Sequence, residues 1–381
     1  MRRNGGGKSE FAIGHPSRRP ALGGRNLIID IERMANGPAA VGRAANGKVV
    51  MVLGGAPGDT VEVEITREHR RYDEARVVRV IEPGPGRQKP PCEHARLQEC
   101  GGCGWQHLTV EAQRAEKRAF VAREMHRVDP EAEVRAIRTD VPPFGYRRRT
   151  RLGYRDGIVG FRRPAQRRIF SLTQCPVLAP KINDSLPAVR DAVSGRGSGN
   201  IDVLFDGESV IIGGTARNFR QPAAEGEAAL IDMVLEAVDA DAATVAELFC
   251  GSGTFTIPLD QRGHQVRAWE MDGGAVAALA DAAPNVDAYR ADLLRSEITP
   301  GLGSPDVVLL DPPRSGAGPC MEAIGAAAPK TVVYVSCAPM TLCRDLRVLL
   351  PFGYRIDWVA PLDAFPQTPH VEVVVRLVRV Q

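Results

Sequence analysis

From Thr244 onward buried strands alternate with helical segments, and this alternation constrains the fold more than any other feature of the 381-residue chain. Apolar runs suited to buried strands lie at 245–249, 265–269, 307–310 and 334–336. Such alternation is typical of a doubly wound parallel sheet. These sheets place their chemistry beyond the carboxyl ends of the strands, so the residues that follow each run are the candidate functional residues.

The first of these strands ends in a glycine-rich loop, Cys-Gly-Ser-Gly-Thr at 250–254. Gly251 and Gly253 let the backbone approach a cofactor closely. The second strand ends at Glu270, whose carboxylate can accept both ribose hydroxyls of a nucleoside, and a third ends at Asp292, which is placed to read an adenine edge. A dinucleotide dehydrogenase usually carries Gly-x-Gly-x-x-Gly, and the third glycine is missing here. The pattern therefore favours S-adenosylmethionine over NAD.

A cysteine follows the apolar strand Tyr-Val-Ser at 334–336, and Pro339 then opens a helix. We interpret Cys337 as a nucleophile at the carboxyl edge of the sheet. A thiol at this place lies near the positive end of the helix dipole, which favours the reactive thiolate. Taken alone, the residue could equally be a buried structural cysteine, because free cysteines are usually buried.

The residues around this cysteine predict methyl transfer to carbon. The fourth strand ends in Asp-Pro-Pro at 311–313, and Arg314 stands where an amino-methyltransferase would carry an aromatic residue. C5 of uracil is a weak nucleophile until a thiolate adds at C6, and a base must later remove the C5 proton. Glu372, at the head of the final strand, is the candidate base, and we expect Asp311 to help orient the methyl donor and the ring.

Alternating segments near the N-terminus predict a small antiparallel β-barrel, with Asn-Gly at 46–47 as a hairpin turn. The predicted strands are Leu27–Ile31, Val49–Leu53, Val61–Ile65 and Ala75–Val80. Basic residues stud this barrel, namely Arg33, Arg43, Lys48, Arg67, Arg70 and Arg71. Small barrels of this kind commonly bind nucleic acid, although a protein-binding barrel is the alternative. The segment resembles a TRAM domain, an RNA-binding barrel, and a Pro-Gly linker at 82–86 follows it.

Three closely spaced cysteines and a distant fourth can supply four soft ligands to one metal centre. They are Cys92, Cys100, Cys103 and Cys175. A structural zinc site usually comes as two short-spaced pairs, whereas three near cysteines and a remote one are also compatible with a 4Fe–4S cluster. Spacing leaves both readings open, and four unrelated packing cysteines are a third.

The charge distribution indicates a polyanionic partner for the front of the chain. Residues 1–222 carry 38 basic and 25 acidic side chains, a net charge of +13, whereas residues 223–381 carry 11 and 21, a net of −10. Nine arginines between Arg147 and Arg168 are opposed locally only by Asp156, and aromatic residues are interleaved with them. Arginines for phosphates and aromatics for base stacking suit RNA with unpaired bases. No apolar run is long enough for a membrane helix and no signal peptide is evident, so we expect a cytoplasmic protein.

Several separated motifs occur in the order found in RNA 5-methyluridine methyltransferases. They are Asn-Phe-Arg-Gln at 218–221, Leu-Phe-Cys-Gly-x-Gly at 248–253, Asp-Pro-Pro-Arg at 311–314, Val-Ser-Cys-x-Pro at 335–339 and Phe-Pro-x-Thr-x-His-x-Glu at 365–372. From about Leu27 to its end, the sequence resembles this family. The resemblance implies that Cys337 is the nucleophile and Glu372 the base.

The resemblance also implies two sets of ligand-binding residues. A 4Fe–4S cluster would be bound by Cys92, Cys100, Cys103 and Cys175. S-adenosylmethionine would be held by Gln221, Phe249, Glu270, Asp292 and Asp311. Two positions depart from the family pattern: Ala338 stands where relatives often carry Asn, and Thr254 replaces a common Asn in the cofactor loop. Either change could alter substrate choice or cofactor affinity, and neither removes a reacting group.

We therefore expect a multidomain α/β protein. Its parts would be a disordered basic tail over 1–25, a TRAM- or OB-like barrel over 26–84, a central α+β RNA-binding domain with the four cysteines over 85–222, and a Rossmann-like methyltransferase domain over 223–381. Because the chain has both the barrel and the cysteines, it resembles the ribosomal-RNA branch more than the shorter transfer-RNA branch. An inactive RNA-binding or ribosome-assembly factor is the alternative of another class, and a monomer is expected.

Overall fold

The computed structural model describes residues 26–97, 99–163, 168–213, 221–295 and 299–380. These residues form three sheets: a closed five-stranded barrel, a four-stranded antiparallel sheet and a seven-stranded sheet. The basic tail predicted over 1–25 and the Asn-Phe-Arg segment at 218–220 lie outside the described residues. Among the helices that are described, none is both long and apolar enough to cross a membrane.

The barrel predicted at the N-terminus is confirmed. Its strands, in the spatial order β1-β2-β3-β5-β4, are β1 (Asn26–Met34), β2 (Ala39–Arg43), β3 (Val49–Leu53), β4 (Thr60–Glu68) and β5 (Tyr72–Glu82). Strand β2 was missed by sequence reasoning because it is short and rich in Ala and Gly. Gly42 lets β2 cross close to β1, since a Cβ atom there would lie 2.6 Å from the carbonyl oxygen of Asp30.

The segment predicted as a linker instead packs on the barrel. The buried carboxylate of Asp59 accepts a hydrogen bond from the Gly84 amide at 2.8 Å and pairs with the Arg87 guanidinium at 2.6 Å. Further along the chain, Trp105 and Leu108 belong to the apolar core of the barrel. The Trp105 indole N–H also donates to the carbonyl oxygen of Gly37 at 3.0 Å. The barrel core therefore includes residues from well beyond the predicted boundary.

A long helix joins the barrel to the large sheet. After the short helix α1 (Glu93–Arg96), α2 (Val110–Met125) begins at Thr109, whose hydroxyl caps the helix by accepting from the Ala112 amide. One side of α2 contacts β1, because the Glu116 carboxylate accepts from the Met34 amide at 2.8 Å. Val121 and Met125 on the same helix are buried in the core of the large sheet.

The four-stranded sheet lies in the centre of the chain. Its order is β7-β6-β8-β9, with strands β6 (Arg149–Arg155), β7 (Ile158–Gly160), β8 (Ser198–Phe205) and β9 (Val210–Ile212). Helix α3 (Pro180–Ala192) packs on one face through Ile182, Leu186 and Val189, which contact strand residues such as Leu152. This α+β arrangement agrees with the fold class expected for the central region.

The seven-stranded sheet has the order β12-β11-β10-β13-β14-β16-β15. Its strands are β10 (Thr244–Leu248), β11 (Gln265–Glu270), β12 (Asp287–Arg290), β13 (Val307–Leu310), β14 (Thr331–Ser336), β15 (Tyr354–Leu362) and β16 (Glu372–Arg379). Its helices are α4 (Ala224–Ala237), α5 (Thr256–Gln261), α6 (Gly273–Ala282), α7 (Thr299–Leu302), α8 (Gly318–Ala327) and α9 (Pro339–Leu349), and a 3-10 turn (Leu350–Phe352) follows α9. Strands β13 and β14 are buried along their whole length, as expected when helices cover both faces.

One strand, β16, runs against the direction of the rest of the sheet. Strands β10 to β14 run parallel, whereas β16 pairs antiparallel with both β14 and β15. In the β14–β16 ladder Ser336 lies opposite Val373. The amino end of β16 therefore meets the carboxyl end of β14, where the candidate functional residues gather.

Candidate active site and four-cysteine site

The glycine-rich loop after β10 has a backbone shape that few other residues could adopt. Phe249, Gly251 and Gly253 have positive φ angles of 63°, 56° and 95°. A Cβ atom at Gly253 would lie 2.6 Å from Cδ1 of Leu279, so this glycine is needed for close packing on α6. Thr254, the departure from the family pattern, follows half-buried. The loop is thus a tight backbone turn at the carboxyl edge of the sheet, as a cofactor loop requires.

Glu270 is fixed at the end of the neighbouring strand. Its carboxylate accepts hydrogen bonds from the backbone amides of Gly251, Met271 and Asp272 at 3.1, 2.7 and 2.9 Å. The carboxylate is therefore oriented by the glycine-rich loop itself, and the two predicted cofactor elements form one unit.

Asp292 and Gln221 lie in turns beside the sheet. Asp292 follows β12 and accepts from the Leu294 amide at 3.2 Å. Gln221 precedes α4, where its amide donates to the Glu227 carboxylate at 3.0 Å and its carbonyl accepts from Arg148 at 3.1 Å. The Gln221 backbone and the Asp292 carboxylate are therefore held in place beside the sheet.

Two buried carboxyls lie at the carboxyl edge of the sheet. Asp311 follows β13, and burial raises its pKa to about 7. Glu247 in β10 is fully enclosed, with the Thr256 hydroxyl donating to it at 2.5 Å, and burial raises its pKa to about 8. Glu247 was missed by sequence reasoning, although a single acidic residue in an apolar strand is the signal that could have found it.

Cys337 and Glu372 face each other at the ends of two paired strands. The β14–β16 ladder ends with Ser336 opposite Val373, and Cys337 and Glu372 are the next residues beyond that last pair. The two side chains are close enough for Glu372 to act on the Cys337 thiol by charge. Cys337 is half-buried and Glu372 is buried. The two residues are 35 positions apart in the sequence, and the pairing of β14 with β16 brings them together.

The electrostatics of this pair follow from burial and from two charged neighbours. Burial raises the pKa of Glu372 well above its usual range; Asp311 adds to the rise and Arg314 opposes it. Burial likewise raises the pKa of the Cys337 thiol, Glu372 raises it further, and Arg314 lowers it by charge and by a hydrogen bond. Arg314 thus contacts the reacting pair, a role that sequence reasoning did not assign to it.

The position of Cys337 before a helix is one of several influences on its thiol. Helix α9 does begin at Pro339, but its cap residue Ala338 offers no side-chain hydrogen bond. Loss of water and the nearby carboxyls of Glu372 and Asp311 outweigh the favourable effects of Arg314 and of the helix. The net effect is a raised pKa of the Cys337 thiol.

The four predicted metal-binding cysteines lie near one another in the fold. Burial raises the pKa of the Cys103 thiol to about 12, and the nearby thiols of Cys175, Cys100 and Cys92 raise it further. Burial also raises the pKa of Cys100 and of Cys175, and nearby thiols add to the rise. We call these residues the four-cysteine site. Within the described residues, no group of three or more His, Cys, Asp or Glu side chains is arranged to hold a metal ion as it stands.

The arginine set of the central region is partly engaged within the chain. Arg148 pairs with Glu227, Arg151 with Asp202, and Arg163 with Glu99. Asp156 is the one acidic residue within residues 147–168, and these three carboxylates come from other parts of the sequence. Arg167, another member of the set, lies outside the described residues. The surface that remains basic is smaller than the sequence suggested.

Comparison with known proteins relates both ends of the chain to described families. The family model for tRNA (Uracil-5-)-methyltransferase matches residues 205–295 and 304–380, and the TRAM domain model matches residues 21–78. The 23S rRNA (uracil(1939)-C(5))-methyltransferase RlmD of Alkalilimnicola ehrlichii is 32% identical, covering 85% of this chain and 90% of the relative. The same enzyme of Klebsiella pneumoniae is 33% identical, covering 87% and 91%. The chain belongs to the RNA uracil-C5 methyltransferase family.

A solved structure agrees with this RNA uracil-C5 methyltransferase in fold. The crystal structure of the Pyrococcus abyssi tRNA (uracil-54, C5)-methyltransferase in complex with S-adenosyl-L-homocysteine matches with a TM-score of 0.73 at 21% identity. The match covers 92% of this chain and all of that one. The predicted barrel and the Rossmann-like domain are thereby confirmed. The chain is an S-adenosylmethionine-dependent methyltransferase that acts on RNA.

Proposed function

We propose that this methyltransferase transfers a methyl group to C5 of a specific uridine in large-subunit ribosomal RNA, with Cys337 as nucleophile and Glu372 as base. The observation that supports the assignment is that the β14–β16 ladder ends one residue before Cys337 on one strand and one residue after Glu372 on the other, with Glu372 acting on the Cys337 thiol by charge. A thiol and a carboxyl close together are what addition at C6 and proton removal at C5 require, because C5 and C6 are adjacent atoms of one ring.

The reaction follows from these groups. Cys337 releases its proton to solvent, and the thiolate forms beside Arg314. The thiolate then bonds to C6 of the uracil, and the electrons of the C5–C6 double bond move toward O4 as an enolate. When bound, S-adenosylmethionine would supply the methyl group from its sulfonium. C5 bonds to the methyl carbon as the bond from that carbon to sulfur breaks, which leaves S-adenosylhomocysteine.

The covalent adduct must then be broken. Glu372 removes the proton from C5, the C5–C6 double bond reforms and the bond from sulfur to C6 breaks, which returns the thiolate. The burial that raises the pKa of Glu372 makes its carboxylate a stronger base. In folded RNA the target uridine has to leave its stack to reach Cys337.

Two elements support the assignment of the cofactor residues. The positive φ angles at Gly251 and Gly253 let the loop backbone approach a bound cofactor closely. The Glu270 carboxylate is oriented toward that loop because it accepts a hydrogen bond from the Gly251 amide. We assign the methyl donor to these residues together with Gln221, Phe249, Thr254, Asp292 and Asp311. Asp311 lies between the donor loop and Cys337, so it is placed to contact both the donor and the ring.

Ribosomal RNA is supported as the substrate by the relatives that match most of the chain, which are named as 23S rRNA methyltransferases. We assign RNA binding to the barrel of residues 26–84 and to the central region of residues 85–222. Transfer RNA is the alternative. An inactive RNA-binding factor is disfavoured, because the Ala338 departure leaves Cys337, Glu372 and Arg314 in place.

We further propose that the four-cysteine site holds a 4Fe–4S cluster. The donor set fits such a group: burial, with smaller effects of neighbouring thiols, raises the pKa of Cys100, Cys103 and Cys175, and clustered thiols become favourable ligands once a positively charged centre accepts them as thiolates. Each of the four could bind a different iron of the cluster. No step of methyl transfer is assigned to it.

Product mapping tests the reaction and the substrate together. Purified enzyme with S-adenosylmethionine should form 5-methyluridine at one position of undermethylated 23S ribosomal RNA, and Cys337→Ala should form none. Methylation of transfer RNA alone would refute the ribosomal assignment. Absence of 5-methyluridine in either RNA would refute the proposed reaction.

The metal assignment has a separate test. Enzyme purified without oxygen should be brown and contain about four irons per chain. Replacing Cys100 by Ala should lower the iron content, whereas Cys320→Ala, which changes a buried cysteine of α8 outside the site, should leave it unchanged. Colourless protein that contains stoichiometric zinc would refute the cluster.

A further inference from the structure

The loop between β15 and β16 contains a β-turn over residues 365–368, in which the Thr368 amide donates to the Phe365 carbonyl at 3.3 Å and the third residue is strained. Gln367 adopts a left-handed φ of 72°, which is costly for a residue with a side chain, by about 1–3 kcal/mol. The residue is fully buried, and Glu372 follows five positions later. Such a conformation persists only where the surrounding structure holds it, so the residues that contact the turn determine the path of the chain into Glu372.

Helix α2 forms two hydrogen bonds to this turn through Gln113. The buried side-chain amide of Gln113 accepts a hydrogen bond from the Gln367 backbone N–H at 2.7 Å and donates to the Gln367 side-chain oxygen at 3.0 Å. One helical turn later, Lys117 donates to the carboxylate of Asp363 at 2.5 Å and to the carbonyl of Phe365 at 3.0 Å. Because positions four apart share a helix face, α2 holds the loop at two points.

The cysteine-bearing region holds the same turn from another direction. The backbone N–H of Trp105, two residues after Cys103, donates to the carbonyl of Gln367 at 3.1 Å. The buried hydroxyl of Tyr146 donates to the carbonyl of Pro366 at 3.0 Å. Cys103 and Cys175 pack against the small apolar cluster that contains the Tyr146 ring. The turn is therefore fixed between α2 and the surroundings of the four-cysteine site.

We propose that Tyr146 and Gln113 are positioning residues for the Glu372 base, acting through the turn at Gln367. The inference rests on the proposed role of Glu372. Cys337 follows β14, whereas Glu372 is the first residue of β16 and the loop leads directly into it, so a change in the turn acts on the base before it acts on the thiol. Loosening the turn displaces the base relative to C5 and leaves attack by the thiol intact.

This separation gives a readout that general loss of structure would not produce. A misplaced base leaves the methylated uridine bonded to Cys337, because only removal of the C5 proton allows the sulfur to leave. Tyr146→Phe should therefore raise the ratio of denaturant-resistant RNA–protein adduct to released 5-methyluridine by about tenfold, given that a 1 Å misplacement can cost about a hundredfold in rate. Gln113→Leu should act in the same direction.

Tyr354→Phe is the matched control, because the buried hydroxyl of Tyr354 donates to the carbonyl of Pro329 at 2.7 Å in the same sheet, away from the loop. This variant should release product as the unaltered enzyme does. The ratio is measured per folded, iron-containing protein in single-turnover reactions on 23S ribosomal RNA. Should Tyr146→Phe fail to fold, Gln113→Leu decides alone.

Two negative results are distinguishable. If the unaltered enzyme forms neither adduct nor 5-methyluridine, the proposed function fails. If the unaltered enzyme turns over and the Tyr146 and Gln113 variants release product at the same ratio as Tyr354→Phe, the positioning role alone is refuted.

Discussion

The buried carboxyl of Glu247 should make the stability of this methyltransferase depend on pH in a way that one substitution removes. Glu247 lies within β10, 1% exposed, and burial raises its pKa to about 8 from an ordinary value of 4.5. Between these two pH values the folded carboxyl keeps a proton that the unfolded chain has released. Folding therefore takes up one proton, and the free energy of unfolding falls as pH rises.

The slope of this dependence is about 1.4 kcal/mol per pH unit for one proton. Raising the pH from about 5.5 to 7.5 should therefore cost the unaltered chain about 3 kcal/mol through Glu247 alone. Gln cannot ionise, and its side-chain oxygen can still accept from the Thr256 hydroxyl. The stability of Glu247→Gln relative to the unaltered chain should thus rise by about 3 kcal/mol over that interval. Glu372 and Asp311 are common to both proteins, so their contributions cancel.

Urea unfolding at the two pH values, followed by tryptophan fluorescence, measures this difference, because Trp269 and Trp358 belong to the same sheet as Glu247. Glu322→Gln, at an exposed position on α8, is the control and should show no pH-dependent gain. An equal difference between Glu247→Gln and the unaltered chain at both pH values would refute the argument that the carboxyl is buried as a neutral group.

Other substitutions test the site and its supports. Glu372→Gln should slow release of 5-methyluridine by about 10²–10⁴-fold and trap the RNA–protein adduct, and free product at the normal rate would exclude Glu372 as the base. Since the pKa of Glu372 is raised, the same variant should gain thermal stability relative to the unaltered chain as pH rises from 5 to 8; a gain that shrinks would contradict the sign. Lys117→Met leaves the buried carboxylate of Asp363 without its nearest partner and should cost about 3 kcal/mol in urea unfolding, whereas the double variant with Asp363→Leu should recover most of the loss. Ala338→Asn supplies the missing cap of α9 and should add about 1 kcal/mol, visible as a higher melting temperature; an unchanged value would show that the cap is already satisfied.

The ends of strands could be predicted well from the sequence, because apolar runs and the residues that follow them are local features. Glu270, Asp311 and Cys337 lie at the carboxyl edge of the sheet as that logic required. The approach of Cys337 to Glu372 is different. It depends on β16 lying antiparallel between β14 and β15. No local sequence pattern predicts the position that the last strand takes in the sheet.

Features decided by distant contacts could not be predicted. A left-handed Gln367 contradicts the preference of the residue, and the contacts that hold it come from a helix about 250 positions earlier. The raised pKa of the Cys337 thiol is similar, because a helix terminus is visible in the sequence while the carboxyls of Glu372 and Asp311 are brought there by the fold. The ion pairs of the central arginines were hidden for the same reason. Asp202 pairs with Arg151, and Glu99 pairs with Arg163, from other parts of the chain.

Trp105 determines where a fragment containing the barrel has to end if its core is to stay complete. Its indole lies in the barrel core, so a fragment that stops at residue 84 would lose that ring and Leu108 and leave an apolar opening at one end. A buried tryptophan covers about 150–250 Å², a large part of the core of so small a barrel. A fragment of residues 26–108 keeps the ring, and it also keeps three of the four cysteines. Moving this barrel to another enzyme would therefore carry three of the four cysteines with it, or require replacement of Trp105.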